Sequence, residues 1–192
     1  MSKRFIGARQ TTVAREVEMK GTGVHSGAPV SLVLHPADAN TGLRFLVSKR
    51  GRIVAEIPAD VRFVKNLTLC TVIGDDTGAS ISTVEHLLAA LRGLGVDNCY
   101  IEVDSKEVPI MDGSSAPFVK AIDEAGIAEL SEPRTFIKVL KPVRVRLSKR
   151  TSNIAVWQSV EESFALWFLA TSISPCVHLR DLRFAHVKFC VP

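Results

Sequence analysis

The sequence lacks the features that define several specialised classes of protein. Its 12 glycines and 9 prolines are scattered, and only 4 of its 192 residues are cysteine, which excludes collagen-like, disordered and disulfide-scaffold proteins. The longest strongly apolar stretch, residues 164–173, is well short of the roughly 20 residues that a membrane-spanning helix needs. We therefore expect a globular protein that does not insert stably into a membrane.

Export signals and paired cysteines are also lacking. The first seven residues contain two basic side chains with no apolar run behind them, which predicts a cytoplasmic protein. The cysteines at positions 70, 99, 176 and 190 form no Cys-x-x-Cys pair, and two of them lie in apolar, strand-like runs. Because cysteine in such runs usually acts as a small buried hydrophobic residue, we expect free thiols.

Basic residues are present in excess, but they are poorly clustered. The net charge is +4 and the pI is near 9.0, and binding to nucleic acid begins with grouped lysines and arginines. Lys49-Arg-Gly-Arg52 has the composition of a hairpin turn, whereas Arg144 and Arg146 alternate with valines as on a solvated sheet face. No nucleic-acid partner is expected.

Residues 1–147 have the pattern of an α+β domain. Short β-branched or apolar runs predict strands over residues 31–35, 43–47, 53–57, 68–73, 99–103, 136–140 and 143–147. Two segments with helical spacing interrupt them. Hairpin strands combined with two helices predict a two-layer sandwich, in which a mostly antiparallel sheet is covered by helices on one face.

The first predicted helix begins near Ser82-Thr-Val-Glu85 and ends at Gly93. Its apolar residues recur at i, i+3, i+4 and i+7, which predicts one buried face made of Val84, Leu87, Leu88 and Leu91. The opposite face carries small residues, Ala89 and Ala90, beside His86. This face is suited to close approach by a second layer.

Glu85 and His86 are the candidate reactive residues, and the residues alone support two interpretations. In the first, Ser82 and Glu85 form a capping box, in which the glutamate hydrogen-bonds back to the N-cap amide. In the second, His86 binds zinc and Glu85 deprotonates a metal-bound water, whose pKa zinc lowers to about 7. A catalytic zinc needs about three protein ligands, and nothing nearby in the sequence supplies the others.

Two further motifs have structural interpretations. Gly21-Thr-Gly23-Val-His25-Ser-Gly27 lacks the spacing of a dinucleotide-binding loop and is interpreted as a tight turn or bulge. Asp112-Gly-Ser-Ser115 precedes the second predicted helix, which begins near Pro117 and stops at Gly126. Its carboxylate and hydroxyls are suited to capping free amides.

Taken together, five ordered motifs resemble the N-terminal domain of the UDP-3-O-acyl-N-acetylglucosamine deacetylases, the zinc amidases of lipid A synthesis. The resemblance runs from about residue 5 to residue 147. The motifs are Gly21-Thr-Gly-Val-His25-Ser-Gly, Leu69-Cys70-Thr71, Ser82-Thr-Val-Glu-His-Leu-Leu-Ala-Ala-Leu91, Gly95-Val-Asp-Asn98 and Pro109-Ile-Met-Asp-Gly-Ser-Ser-Ala-Pro-Phe118.

The resemblance implies two α+β domains that pack face to face, with the active site between them. It implies that His86 is a ligand of a Zn²⁺ cofactor, and that Glu85 is the general base for water attack on the N-acetyl group of UDP-3-O-acyl-N-acetylglucosamine. It also implies that Leu69 and Cys70 line the substrate or acyl-chain side of the cleft.

Residues 148–192 depart from this pattern. Residues 151–192 hold six of the twelve aromatic residues, and the family's second-domain ligand pattern, His-Lys-x-x-Asp, occurs nowhere in the sequence. We expect an atypical, poorly ordered tail such as a frameshift produces, with the second family domain missing or truncated and the chain inactive as it stands. Composition alone also allows a truncated second unit, or a helix over residues 161–170 docked on the sheet.

A function from another class remains open from the residues alone. In this alternative the chain is a non-catalytic α+β module that binds nucleic acid or a protein partner. Glu85 and His86 discriminate between the two, because a binding module has no reason to place this pair on the small-residue face of a helix.

Overall fold

The computed structural model describes residues 7–135 with their side chains, together with the backbone of residues 143–145 and 154–156. The chain divides into two units, residues 1–134 and residues 135–192. The described elements of the first unit are β1 (Arg9–Val13), β2 (Val17–Thr22), β3 (Pro29–His35), β4 (Leu43–Lys49), β5 (Arg52–Pro58), a 3-10 turn (Val61–Phe63), β6 (Val64–Asn66), β7 (Val72–Gly74), β8 (Ser80–Ser82), α1 (Glu85–Gly93), β9 (Cys99–Val103), α2 (Ala116–Ala125) and β10 (Ile127–Pro133).

The main sheet contains five strands in the order β2-β3-β9-β4-β5. All neighbouring pairs are antiparallel except β4 and β9, which run parallel. Buried residues alternate along the strands, as in β3, where Val30, Leu32 and Leu34 are buried. Because successive strand side chains point to opposite faces, this alternation gives the sheet one core face.

Both helices contribute to the same hydrophobic core as the sheet. The predicted apolar face of α1 is confirmed, since Val84, Leu87, Leu88 and Leu91 are all at most 4% exposed. Helix α2 adds Phe118 and Ile122, and it packs against α1. The predicted α+β fold, with two helices over a mostly antiparallel sheet, is confirmed for the described residues.

Two smaller sheets complete the first unit. Strand β1 pairs with β10, and β6, β7 and β8 form a three-stranded antiparallel sheet. Gly126 separates α2 from β10 with a φ of +82°, a conformation that glycine adopts without steric cost. The predicted end of the second helix at Gly126 is therefore confirmed.

The predicted hairpin turn is also confirmed. Arg50 and Gly51 join β4 to β5, and both have positive φ angles. Positive φ at both central residues defines the type I′ turn, whose twist matches that of the flanking strands.

The predicted strand over residues 68–73 is wrong for its first four residues. Strand β7 begins only at Val72. Upstream of it, the Asn66 side chain accepts a hydrogen bond from the Thr68 amide at 2.8 Å, and Leu69 has a φ of +68°. A side chain that binds the backbone two residues later stabilises a turn in place of a strand.

Strands β1, β2, β6, β8 and β10 of the first unit were not predicted. Strand β2 does carry a usable signal, because buried Val17 and Met19 alternate with exposed Glu18 and Lys20. Each of its two buried residues stands next to a charged one, so the strand lacks the apolar run by which its neighbours were found.

In the second unit, the described residues form one antiparallel strand pair, β11 (Val143–Val145) with β12 (Ile154–Val156). The predicted strand over residues 136–140, Arg146, Cys176 and Cys190 lie outside the described residues. The predicted domain boundary at residue 147 and the predicted atypical tail over residues 148–192 stay predictions.

Of the four cysteines, Cys70 and Cys99 are described, and both are free thiols as predicted. Cys99 is fully buried in the main sheet. Burial raises the pKa of its thiol to about 12, so it stays protonated and acts as a small hydrophobic residue.

Candidate active site

The beginning of α1 does not contain the predicted capping box, and that prediction is wrong. The helix begins at Glu85 with Val84 at the N-cap, and no side chain makes a capping hydrogen bond. The Ser82 hydroxyl donates instead to the carbonyl oxygen of Lys106, at 3.1 Å. Because Ser82 is used in a contact 24 residues away, Glu85 is not required as its capping partner.

The Glu85 carboxylate binds a neighbouring segment in place of its own helix. Its Oε2 atom accepts a hydrogen bond from the Thr71 amide at 3.2 Å, and the residue is half-buried. This contact brings the segment Leu69-Cys70-Thr71 to the first turn of α1. Leu69 is 81% exposed there, while Cys70 is half-buried.

His86 follows Glu85 in the first turn and is also half-buried. Its carbonyl oxygen accepts a hydrogen bond from the Ser115 hydroxyl at 2.9 Å, which ties α1 to the residue preceding α2. Hydrogen bonds from Ser114 are the main reason that the pKa of Asp112 lies below its ordinary value, and the charge of His86 acts in the same direction. His86 and Asp112 are therefore electrostatic neighbours.

The small-residue face of α1 is only partly open. Ala89 is half-buried and Gly93 is exposed, but Ala90 is 1% exposed and belongs to the core. The prediction that Ala90 lies on the small-residue face, opposite the buried face, is therefore wrong. At 100° per residue, Ala90 lies between His86 and Leu87 in the helical projection, so it extends the buried face at the edge nearest His86.

The glycine-rich motif forms a turn, as predicted. Gly27 donates its amide hydrogen to the carbonyl oxygen of Gly23 at 2.9 Å, and Gly23 donates to that of Ala28 at 3.0 Å. Position 23 also requires glycine for a steric reason, because a Cβ atom there would lie 2.3 Å from the Oε2 atom of Glu107. A side chain here has no room.

Glu107 connects this glycine turn to the beginning of α1. Its carboxylate accepts hydrogen bonds from the His25 amide at 3.1 Å, the Ser26 amide at 3.1 Å, the Ser26 hydroxyl at 2.9 Å and the Thr83 hydroxyl at 2.9 Å. The residue is only 2% exposed. Burial raises the pKa of Glu107, but these hydrogen bonds outweigh burial and leave the pKa below its ordinary value.

Sequence reasoning missed Glu107, and no local signal identifies it. Its partners lie 24, 81 and 82 residues away along the chain. The flanking residues, a lysine and the pair Val108-Pro109, suggest an exposed connection before a turn. The role of this glutamate becomes visible only once the fold brings the glycine turn and α1 together.

The fourth motif, Gly95-Val-Asp97-Asn98, makes a separate set of contacts. The Asp97 carboxylate accepts hydrogen bonds from the Thr11 amide and from the Arg134 guanidinium, both at 2.9 Å. Asn98 donates to Gln10 at 3.0 Å. These contacts tie β1 to the end of the first unit, and none of them reaches Glu85 or His86.

Within residues 7–135, no group of three or more His, Cys, Asp or Glu side chains could hold a metal ion. His86 is thus a possible zinc ligand without described partners, and these residues do not form a complete zinc site. The part of the chain that the structure describes contains no helix long and apolar enough to cross a membrane.

Comparison with known proteins identifies the family. Residues 10–185 match the sequence model of LpxC, UDP-3-O-acyl N-acetylglycosamine deacetylase. The chain belongs to this deacetylase family. The match continues past residue 147 into the predicted tail, whose unrelated origin stays a prediction.

Individual relatives agree with the family assignment. The chain is 41% identical over 181 residues to the UDP-3-O-acyl-N-acetylglucosamine deacetylase of Actinobacillus succinogenes, which covers 94% of this chain and 59% of the relative. It is 44% identical over 160 residues to the deacetylase of Aliivibrio fischeri, and this match covers 83% of this chain and 52% of the relative. It is 42% identical over 165 residues to the deacetylase of Shewanella oneidensis, and this match covers 86% of this chain and 54% of the relative. The chain therefore spans about half the length of the curated relatives it matches.

Proposed function

We propose that this chain supplies one half of a zinc-dependent active site that deacetylates UDP-3-O-acyl-N-acetylglucosamine in lipid A biosynthesis, in the cytoplasm. The observation that supports this most strongly is the beginning of α1. There the Glu85 carboxylate is released from helix capping and is held next to His86 by the Thr71 amide, at 3.2 Å.

In this proposal Glu85 is the general base. A carboxylate has about four acceptor positions, so one hydrogen bond from Thr71 orients the group and leaves positions for a water molecule. Glu85 takes a proton from that water as its oxygen attacks the carbonyl carbon of the N-acetyl group. When the C–N bond breaks, the same proton can pass to the departing amine, which leaves acetate and a free amino sugar.

In this proposal His86 is one ligand of Zn²⁺, which would supply Lewis-acid polarisation. The described residues do not complete such a site, so His86 needs ligands from outside them. We therefore propose that the 192-residue chain by itself is inactive and binds zinc only weakly, since each missing ligand removes a coordination bond.

Leu69 and Cys70 are proposed to contact the substrate. Leu69 is an apolar side chain that is 81% exposed, two residues before the amide that holds Glu85. An exposed apolar side chain beside a candidate base suits the acyl part of the proposed substrate better than its charged diphosphate.

The test is a chimera in which a relative supplies the part of the active site that this chain lacks. Residues 1–134 of this chain would replace the matching part of the Actinobacillus succinogenes deacetylase, and hydrolysis of UDP-3-O-acyl-N-acetylglucosamine would be measured. Glu85→Gln should reduce the rate by about 100-fold or more, because general-base catalysis contributes about this factor. His86→Ala should reduce the zinc content of the chimera.

Two control variants match these changes. Glu124→Gln alters an exposed glutamate on α2, and His35→Ala alters a histidine of the main sheet, so neither should affect the rate. An active chimera that tolerates Glu85→Gln would contradict the proposal. Salt-dependent binding of RNA by a chimera without hydrolysis would support the non-catalytic binding module instead.

A further inference from the structure

Thr83 has a strained backbone conformation just before the candidate catalytic pair. Its φ is +59°, in the left-handed region that β-branched residues rarely occupy, and it is 3% exposed. A strained residue persists only where its surroundings hold it in place, and such residues concentrate at functional sites. The group that holds Thr83 is therefore of functional interest.

That group is Glu107. Its Oε1 atom accepts a hydrogen bond from the Thr83 hydroxyl at 2.9 Å. The two residues that flank Glu107 in the sequence form backbone hydrogen bonds with Ser82. The Ser82 amide donates to Lys106 at 2.9 Å, and the Val108 amide donates to Ser82 at 3.0 Å. The glutamate thus lies opposite Ser82 in a short backbone pairing, three residues before Glu85.

The same carboxylate holds the glycine turn. The Ser26 amide and hydroxyl both donate to Oε2, and the His25 amide donates to Oε1. Gly23 contacts the carboxylate so closely that even a methyl group would not fit between them. One buried side chain therefore fixes both segments, although neither contacts the other through any other described side-chain hydrogen bond.

We propose that Glu107 is a positioning residue that sets the placement of Glu85 and His86 relative to the turn bearing His25. The inference rests on the proposed function in one respect, because that proposal makes Glu85 and His86 the reacting pair. Only a carboxylate suits the position, since its two oxygens accept from four donors and a glutamine would place an NH₂ group against some of them.

The experiment is NMR of the 192-residue chain with ¹⁵N-labelled histidine, at a single neutral pH. The sequence contains five histidines, and the variants His25→Ala, His35→Ala and His86→Ala assign the described three. His35 is an internal reference on the main sheet, because its ring nitrogens lie 2.8 Å and 3.1 Å from carboxylate oxygens of Glu16, just before β2, and Glu102, in β9.

Three variants separate the two connections. Glu107→Gln should shift the ring signals of both His25 and His86 while His35 keeps its signal, which shows that the sheet remains folded. Thr83→Val removes only the hydroxyl toward α1 and should shift His86 alone. Ser26→Ala removes a hydroxyl on the turn side and should shift His25 alone. The two milder variants keep the test valid if Glu107→Gln does not fold.

A purely structural role would give a different result. Glu107→Gln and Thr83→Val would then lower the unfolding temperature but leave the His86 ring signal of the folded protein unchanged, and this would overturn the inference. Failure of the proposed function is detected separately, as an active chimera that tolerates Glu85→Gln, and it leaves the histidine signals as they are.

Discussion

The two helices begin with similar sequences but are held in different ways. Before α2, the partners of Asp112 and Ser114 are local: Ala116 donates its amide hydrogen to the Ser114 hydroxyl at 3.1 Å, and Ser114 donates to Asp112 at 2.9 Å and 2.8 Å. Before α1, the hydroxyls of Ser82 and Thr83 both bind residues 24 positions away. A serine-rich motif therefore locates a helix start without revealing what its hydroxyls bind.

This difference matches the positions of the candidate reactive residues. At the start of α2, Asp112 and Ser114 bond within their own segment, and the Ser115 hydroxyl bonds the more distant His86 carbonyl. The start of α1 depends on Glu107 and includes Thr83 at a φ of +59°. Tertiary contacts of this kind release Glu85 from capping and allow it to bind Thr71 instead.

The largest expected effect comes from removing the carboxylate that holds the start of each helix, Glu107 for α1 and Asp112 for α2. Glu107→Ala leaves the buried Thr83 hydroxyl without its acceptor, which costs about 1–3 kcal/mol, and it removes the charged acceptor of the part-buried His25 and Ser26 amides. We expect the free energy of unfolding to fall by about 3 kcal/mol or more, as measured by urea denaturation. Asp112→Ala removes only exposed, local contacts and should have a much smaller effect. Equal losses would refute the distinction between the two helix starts.

Substitution of a glycine near each carboxylate should destabilise the protein for a different reason, overpacking at Gly23 beside Glu107 and backbone strain at Gly113 beside Asp112. Gly23→Ala places a methyl group 2.3 Å from the Glu107 carboxylate, so we expect a loss of about 2–3 kcal/mol from overpacking. Gly113 has a φ of +83° and open space around it, so Gly113→Ala should cost only about 1 kcal/mol of backbone strain.

Asparagine distinguishes these two causes. Because asparagine tolerates positive φ, Gly113→Asn should recover most of the lost stability. Gly23→Asn should be worse than Gly23→Ala, since its larger side chain enters the same contact. Recovery at both positions would mean that the glycine turn can move away from Glu107.

Much of the fold follows from local sequence patterns, but less of the site does. The strands around Leu32, Phe45 and Ile101 and the apolar face of α1 were predicted because their periodicity is local. Glu85 and His86 were identified as candidates from their position at a helix start. Glu107 could not be identified in this way, because its significance depends on donors up to 82 residues away.

The pH dependence of stability should also differ between the two carboxylates. The pKa of Glu107 lies below the ordinary value of 4.5, so its stabilising contribution is complete above that value and is lost as the pH falls through the folded-state pKa. We expect the difference in stability between the wild type and Glu107→Gln to shrink from neutral pH to about pH 3.

Asp112 provides the comparison for this measurement. Its pKa is lowered mainly by the hydrogen bonds from Ser114, so the sign of the effect is the same. Because this carboxylate is exposed, Asp112→Asn should remove less of the pH dependence than Glu107→Gln does. A larger change for Asp112→Asn would mean that the local cap at α2 is the stronger of the two.

The smallest expected effect concerns Leu69, in the segment that brings Thr71 to Glu85. Leu69 has a φ of +68° and is 81% exposed, and the left-handed conformation costs a leucine about 1–2 kcal/mol. Leu69→Gly removes this strain but adds about 0.5–1 kcal/mol of chain entropy to the unfolded state. The net gain in unfolding free energy should therefore be below about 1 kcal/mol. Val24→Gly is the matched control, because Val24 is also exposed, at 52%, but lacks a positive φ. It should lose stability where Leu69→Gly gains it, and a loss at both positions would show that the Leu69 side chain makes a stabilising contact at the start of α1.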